Sequence, residues 1–213
     1  MKSNSEYKNE ALHSLEGNWG QAVLASLVVL AIALVFNGSG TWLSRMSTSV
    51  SNGFLALLGS SGVLALVFLT GPVSIGFSNA FRALQHSGNP NIVQNTLHFA
   101  FENYLHNVWV YLVMEVKILL WTLLLVVPGI IKSFAYILTP YIAVEHPDWS
   151  ASECIAHSES LMEGHKMEMF SLYLSFLGWL VLCIITAGIG FLWVGPYLET
   201  AKAAFYAEII NEI

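Results

Sequence analysis

The sequence predicts an all-α fold: an integral membrane helical bundle of about six transmembrane helices, arranged as three helical hairpins with amphipathic surface helices between them. Of its 213 residues, 55% are hydrophobic and only 10% are charged. A mean hydropathy of +0.63 is typical of membrane proteins and excludes an ordinary soluble globule or a disordered chain. No long polar block is left for a second domain, so residues 1–213 are predicted to form a single polytopic membrane domain.

Six apolar runs underlie the predicted helix number. A transmembrane helix needs about 20 apolar residues, and a shorter run suffices where aromatic or charged residues flank it. The third run ends at Pro128-Gly129, which predicts a tight stop before the fourth. The six predicted spans are residues 19–36, 54–84, 104–127, 130–144, 169–186 and 191–210.

Three of the segments that precede these runs carry a helical pattern of their own. Residues 150–164 begin with a capping-box spacing, Ser150 to Glu153, and end at Gly164, which suits a C-cap. Residues 6–17 and 95–105 show a weaker pattern of the same kind. These segments are interpreted as amphipathic surface helices, or alternatively as extensions of the spans that follow them. The predicted apolar face of the 150–164 helix is formed by Ala151, Cys154, Ile155, Ser158, Leu161 and Met162.

Internal similarity favours a repeated unit. Gly71-Pro72 followed by Ala80-Phe81 matches Gly195-Pro196 followed by Ala204-Phe205 at the same spacing. We therefore expect three units of surface helix plus hairpin, with the middle unit matching only loosely.

Lysine and arginine positions predict the orientation, because these residues are enriched in cytoplasmic loops. Four of them, Lys2, Lys8, Arg82 and Lys166, fall inside if the N-terminus is inside, whereas Arg45 and Lys132 fall outside. The expectation is a bacterial cytoplasmic membrane protein with both termini cytoplasmic. A net charge of −6 argues against nucleic acid as a partner. Acidic residues crowd segment 145–168, which predicts an electronegative inner surface that could hold a protein partner beside the membrane lipids.

No motif for catalysis or for a cofactor is found. Phosphate-loop, dinucleotide, zinc-protease and nucleophile-elbow spacings are all missing from the sequence, so we expect no enzyme, no catalytic residue and no cofactor. One histidine-rich region near the predicted surface lacks the paired short spacings of a zinc site, so no metal is expected. That region contains His146, Asp148, Cys154, His157 and His165.

Polar residues inside the spans are the candidate functional residues, because an ionisable group in hydrocarbon must pair, snorkel or face a wet interior. Glu199 and Lys202 are three apart and can pair directly, whereas Glu115 is far from both ends of its span and should face protein. The even-numbered spans also carry the prolines, so they are predicted to lie inside, facing one another. The predicted polar interior comprises Glu115, Lys132, Tyr136, Tyr197, Glu199, Lys202 and Tyr206. Structural roles are predicted for Gly17, Pro72, Pro128, Gly129, Pro140, Gly164 and Pro196.

Two readings of this interior remain open. It is either a hydrogen-bonded packing core of a non-enzymatic scaffold or partner subunit, or a polar site for a small solute or lipid headgroup between helices two, four and six.

Four blocks of sequence form an ordered pattern. They are 15–19 (Leu-Glu-Gly-Asn-Trp), 127–136 running on to Pro140-Tyr141, 158–166 (Ser158, Leu161-Met162 and Gly164-His165-Lys166), and Gly195-Pro196-Tyr197 with Phe205-Tyr206. With these blocks the chain resembles, over nearly its whole length, the bacterial multi-pass membrane proteins of the domain of unknown function 975 family. The resemblance implies several membrane helices and carries no activity. That family is also similar to the membrane region beside some glycerophosphodiester phosphodiesterase domains, which implies lipid association only.

Overall fold

A computed structural model of the protein describes residues 2–46 and 66–212, with side chains described in 2–32 and 68–212. Within these residues the chain is helical with no strand, which confirms the all-α expectation for this part. Residues 54–65 of the predicted second span lie outside it. The α-helices are α1 (Asn4–Leu15), α2 (Trp19–Met46), α3 (Gly71–Ser87), α4 (Ile92–Phe101), α5 (Tyr104–Leu124), α6 (Val126–Ala135), α7 (Thr139–Glu145), α8 (Ala151–Leu161), α9 (Lys166–Ser175), α10 (Leu177–Ile185) and α11 (Phe191–Asn211).

Three stretches of the described chain are long and apolar enough to cross a membrane: Tyr104–Leu124, Val126–Glu145 and Lys166–Ile185. The last two each contain a break, between α6 and α7 and between α9 and α10. Helix α1 and the start of α2 are apolar enough for a fourth span only when they are taken together. The angle between them is 96°, so such a span would be broken at their junction. Helix α2 also continues to Met46, ten residues beyond the predicted end of the first span at residue 36.

The turn between α5 and α6 differs from the prediction. The chain reverses at Leu125, which has an extended backbone with φ −160° and ψ 139°, and α6 begins at Val126. Pro128 therefore lies in the first turn of α6, where its missing N–H costs no helical hydrogen bond. Gly129 allows the two helices to approach closely, since a Cβ there would lie 2.2 Å from the Thr122 Oγ1. The Pro-Gly pair thus starts the next helix instead of stopping the previous one.

Exposed apolar side chains concentrate at the ends of two hairpins. Around the α5–α6 turn, Leu123 is 82% exposed and Val127 is 66% exposed. Around the α10–α11 turn, Ile185 is 76% exposed and Phe191 is 51% exposed. Contiguous apolar surface of this extent marks a membrane or protein contact. The buried core lies elsewhere, mainly among α1, α3, α7, α8 and α11.

Each short amphipathic helix packs against a buried helix. Helix α4 lies on α3 at Gly76, where there is no room for a Cβ. Helix α8 lies beside the α6–α7 break, and Ser158 Oγ donates to the Ala135 carbonyl at 2.9 Å. Helix α1 lies on α11, with the Tyr7 and Phe205 ring centroids 5.4 Å apart. The same arrangement therefore occurs three times, including in the middle unit, which matched only loosely in sequence.

Helix α8 has the N-cap and the buried face that its sequence predicts, and it ends with Met162 as its C-cap, two residues before Gly164. Ser150 and Glu153 form a complete capping box, and the backbone N–H of Ser150 donates to Glu153 Oε2 at 2.7 Å. Gly164, which follows the helix, has a φ of +87°, and Gly17 after α1 has a φ of +78°. Glycine adopts this conformation without the strain that a Cβ would add. The buried residues within α8 are Ala151, Cys154, Ile155, Ser158 and Leu161.

Replacing Ile155 by Asp should destabilise the protein by about 3 kcal/mol, because an unpaired carboxylate would replace a side chain that is only 1% exposed. The neighbouring Ala156 is exposed, so Ala156→Asp introduces the same charge where water can solvate it and should change stability little. Thermal unfolding of both variants in detergent measures the difference. Equal losses would show that α8 is buried all round.

Candidate functional site: the polar core

A buried ion pair lies at the centre of the candidate site. Lys202 Nζ donates to Glu199 Oε1 at 2.7 Å within α11, as the spacing of three residues predicts. Ser78 on α3 donates its hydroxyl to the other oxygen, Glu199 Oε2, at 2.8 Å. Lys202 is only 7% exposed, and Tyr141 and Tyr173 lie close enough to interact with it electrostatically. The charge is therefore compensated, and the pair connects α11 to α3.

A second ion pair lies farther along the same helices. Arg82 on α3 pairs with Glu145 at the end of α7, and the Tyr206 hydroxyl of α11 donates to the same carboxylate. The rings of Tyr141 and Tyr206 stack with centroids 4.8 Å apart. The two pairs together form the polar core, defined here as Ser78, Arg82, Tyr141, Glu145, Glu199, Lys202 and Tyr206.

The buried helices α3 and α7 run in the same direction. Asn79 of α3 donates to the Pro140 carbonyl at 2.7 Å, and one turn later Arg82 reaches Glu145. Contacts that advance in the same order along both helices indicate parallel chains. Of the even-numbered segments, α3, α7 and α11 carry long buried faces, whereas α6 at the start of the fourth segment has only Gly129 and Ala135 buried.

Side-chain hydroxyls donate to backbone carbonyls near the prolines of these helices. Pro140 cannot donate an N–H, and the helix breaks between α6 and α7 before it. At this break Ser158 Oγ accepts from the Leu138 N–H at 3.2 Å, in addition to its bond to Ala135. Beyond Pro196, Thr200 donates to the Pro196 carbonyl at 2.8 Å. Pro72 lies in the first turn of α3, where no helical donor is lost.

Three buried polar atoms in this region have no hydrogen-bond partner. They are Tyr141 OH, Thr139 Oγ1 and Asn79 Oδ1, on side chains that are all fully buried. Buried polar groups are normally satisfied, by water where no protein atom is available. Ordered water is therefore the expected partner of these atoms.

Lys132 belongs to a separate cluster. It pairs with Glu159 of α8, and its ammonium lies 5.1 Å from the Trp121 ring centroid and 5.8 Å from that of Tyr136. The predictions placed Lys132 outside and the acidic 145–168 segment inside, and a direct ion pair contradicts that separation. The electronegative surface is also smaller than predicted, because Glu145 and Glu159 are both engaged in ion pairs.

Glu115 and Tyr197 lie away from the polar core. Glu115 is exposed on α5, and its electrostatic neighbour is Tyr111, one turn earlier on the same helix. Lys132, Lys202 or a tyrosine hydroxyl was the expected partner of Glu115. A tyrosine fills that role, and both lysines pair with other glutamates. Tyr197 packs against aromatic rings, with its centroid 4.8 Å from that of Phe176.

The predicted interior set omitted four residues of the polar core: Ser78, Arg82, Tyr141 and Glu145. Arg82 was used only to predict the orientation. Glu145 was counted in the acidic segment. Their ion pair joins positions 63 residues apart, and no local spacing indicates such a contact.

The histidine-rich region near α8 is an aromatic cluster. His146 stacks on Trp149 with centroids 4.0 Å apart, and His157 meets the same indole edge-on. Burial raises the pKa of the Cys154 thiol to about 11, so it is protonated at neutral pH. Among the described residues no group of three or more potential ligands stands close enough together to hold a metal ion.

The fold and the polar core define an all-helical protein in which three helices of the described part are apolar enough to cross a membrane. The chain belongs to the family described as Protein of unknown function (DUF975), whose pattern matches residues 1–132 and 122–212. No curated protein matches the chain significantly, and no solved structure does.

Proposed function

We propose that the chain is a multi-pass protein of the bacterial cytoplasmic membrane, with six spans in three hairpins and a polar core. The exposed apolar hairpin ends support insertion into hydrocarbon, which would cover surface that water disfavours. The threefold packing of short helices on α3, α7 and α11 supports three equivalent hairpins. The first of these hairpins contains α2 and includes residues outside the described part.

The basic residues support cytoplasmic termini more strongly once Lys132 is left out of the outer set. Because Lys132 pairs with Glu159, it does not mark the outer end of its helix and is not counted. Lys2, Lys8, Arg82 and Lys166 then lie inside, and Arg45 alone lies outside. The stronger asymmetry favours this orientation under the positive-inside rule.

Reporter fusions test the topology. A phosphatase reporter, which is active only outside the cytoplasm, should be active when fused after Thr48 and inactive when fused after Gly88. A fluorescent reporter that needs the cytoplasm should give the opposite pattern. Both fusions reporting the same side would rule out the proposed second span.

The role we propose is that of a non-enzymatic scaffold or partner subunit. The main support for this role is that the four charged side chains of the polar core form two ion pairs: Glu199 with Lys202, and Arg82 with Glu145. A charged side chain that binds a substrate needs hydrogen-bonding positions that are still free. The Glu199 carboxylate also accepts a hydrogen bond from the Ser78 hydroxyl, and the Glu145 carboxylate accepts one from the Tyr206 hydroxyl. Such a closed network holds helices in register, which is a recognised use of buried polar groups.

Complementation tests this role. In a strain that lacks the gene, the double variant Glu199→Gln with Lys202→Met should restore the wild-type phenotype as far as it restores folded protein, because packing needs shape and not charge. A double variant that is stable and inserted yet inactive would contradict the scaffold role.

A polar site for a small solute or headgroup is the second candidate. It is favoured by the unpartnered Tyr141 OH, Thr139 Oγ1 and Asn79 Oδ1 beside the ion pairs. Tyr141→Phe removes one hydroxyl and keeps the ring stacking. The solute reading predicts loss of activity with unchanged stability, and the scaffold reading predicts that neither changes.

A further inference from the structure

An apolar cavity of about 490 Å³ lies between α1, the start of α2, α10 and α11. Its walls are almost wholly carbon, and its size falls in the range of small-molecule sites. The aromatic side chains Trp19, Trp179, Trp193 and Tyr197 form much of the lining. This cavity is distinct from the polar core, because none of the polar-core side chains lines it.

The cavity extends along the third hairpin toward its turn. Leu12 and Tyr197 line one part of it, and Thr186 and Gly190 at the α10–α11 turn line another. Its rim is open to the surroundings, since Trp179 is 48% exposed. A molecule in the surrounding apolar phase could therefore enter it from the side.

A lysine stands beside the cavity at the end remote from the hairpin turn. Lys8 precedes Leu12 by one helical turn, so both lie on the same face of α1. Its Nζ donates to the Ser175 carbonyl at 2.6 Å and lies 4.7 Å from the centroid of Phe176, which contacts Tyr197. No carboxylate pairs with Lys8 among the side chains that the structure describes, although Lys2, Arg82, Lys132 and Lys202 are all paired.

The electrostatics of Lys8 favour an anion there. Burial lowers the pKa of Lys8 without an acidic neighbour to offset it. A negatively charged group that accepted one of its remaining hydrogens would form a charge-assisted hydrogen bond, roughly twice as strong as a neutral one.

The size of the cavity suits a hydrocarbon chain better than a partner helix. A helix about 10–12 Å wide with a 5.4 Å pitch fills roughly 500 Å³ per turn, so only a single turn would fit. An extended hydrocarbon chain is much thinner and can follow the cavity along α10.

We propose that this cavity binds one acyl chain of an anionic glycerophospholipid, with its phosphate at Lys8 and the chain directed to the α10–α11 turn. The site rests on the proposed membrane location and is independent of the scaffold role. It makes the third hairpin and the N-terminal helix a selective lipid contact.

Native mass spectrometry of the detergent-solubilised full-length protein tests the site. Titration with phosphatidylglycerol should show one bound lipid molecule per protein. This lipid should be retained more tightly than phosphatidylcholine is in a parallel titration. Lys8→Gln should weaken phosphatidylglycerol binding about tenfold, the loss expected for one charge-assisted hydrogen bond, and should leave phosphatidylcholine unaffected. Lys2→Gln is the matched control, since it removes a positive charge near the same end of the chain, and it should change neither affinity.

Leu12→Trp tests the cavity itself. Leu12 is 42% exposed, so a larger side chain can fill the cavity from its rim without entering the core. The variant should lose both lipids and keep its melting temperature, and Leu12→Phe should give a smaller loss. Three results would each overturn the proposal. They are equal effects of Lys8→Gln and Lys2→Gln, undiminished lipid binding in a folded Leu12→Trp variant, and displacement of the lipid by inorganic phosphate alone. Binding in detergent does not depend on topology, so this result stands apart from the reporter fusions.

Discussion

Replacing Glu199 by Gln should lower the free energy of unfolding by about 3 kcal/mol, because Lys202 would stay buried with no carboxylate beside it. Lys202→Met should cost less, since Glu199 keeps the hydrogen bond from Ser78. The double variant should cost less than the sum of the singles, with a coupling energy of about 1–3 kcal/mol. Thermal and denaturant unfolding in a fixed detergent give the three values.

Lys2→Gln provides the control for this cycle, because Lys2 pairs with Glu10 at an exposed position and should lose about 1 kcal/mol or less. Additive effects of the two core substitutions, with no rescue in the double variant, would contradict the paired core.

Gly76→Ala should destabilise the protein by about 3 kcal/mol. A Cβ at this position would lie 2.1 Å from the Thr96 carbonyl oxygen and 2.8 Å from the Ala100 backbone nitrogen. Backbone atoms of α4 cannot move aside as a flexible side chain can, so α3 and α4 would have to separate. Unfolding measurements and protease susceptibility of α4 would report the loss.

Gly195→Ala is the matched control, since Gly195 is also helical and a Cβ there meets nothing within 4 Å. Its expected effect is neutral or stabilising by up to about 1 kcal/mol, through the lower helix propensity of glycine. A similar loss in both variants would mean that close α3–α4 packing is not the reason for Gly76.

Local features of the chain were predictable because they depend on residues a few positions apart. The capping box of Ser150 and Glu153, the buried face of α8, and the Glu199–Lys202 pair all follow from helical spacing. The all-helical class follows equally from the apolar runs. In each case one helix contains the whole interaction.

Contacts between helices could not be read from spacing. Lys132 was assigned to an outer end and Glu115 to the interior, yet Lys132 meets Glu159 and Glu115 is exposed. Periodicity predicts which face of a helix is apolar. It does not predict which helix that face packs against, or which residues of the two helices lie at the same level along their axes. The turn at Leu125 was missed for a related reason, because a proline can begin a helix as well as end one.

The packing of α1 on α11 has a consequence for the order of assembly. Helix α1 is synthesised first, but the backbone N–H of Lys2 donates to Glu208, 206 positions later. Until α11 emerges from the ribosome, Tyr7 of α1 lacks the Phe205 ring on which it packs, and this part of α1 can be sheltered only by lipid or by a chaperone. We therefore expect the packing of α1 on α11 to form late in folding, and a chain truncated before α11 to expose Tyr7 to quality control.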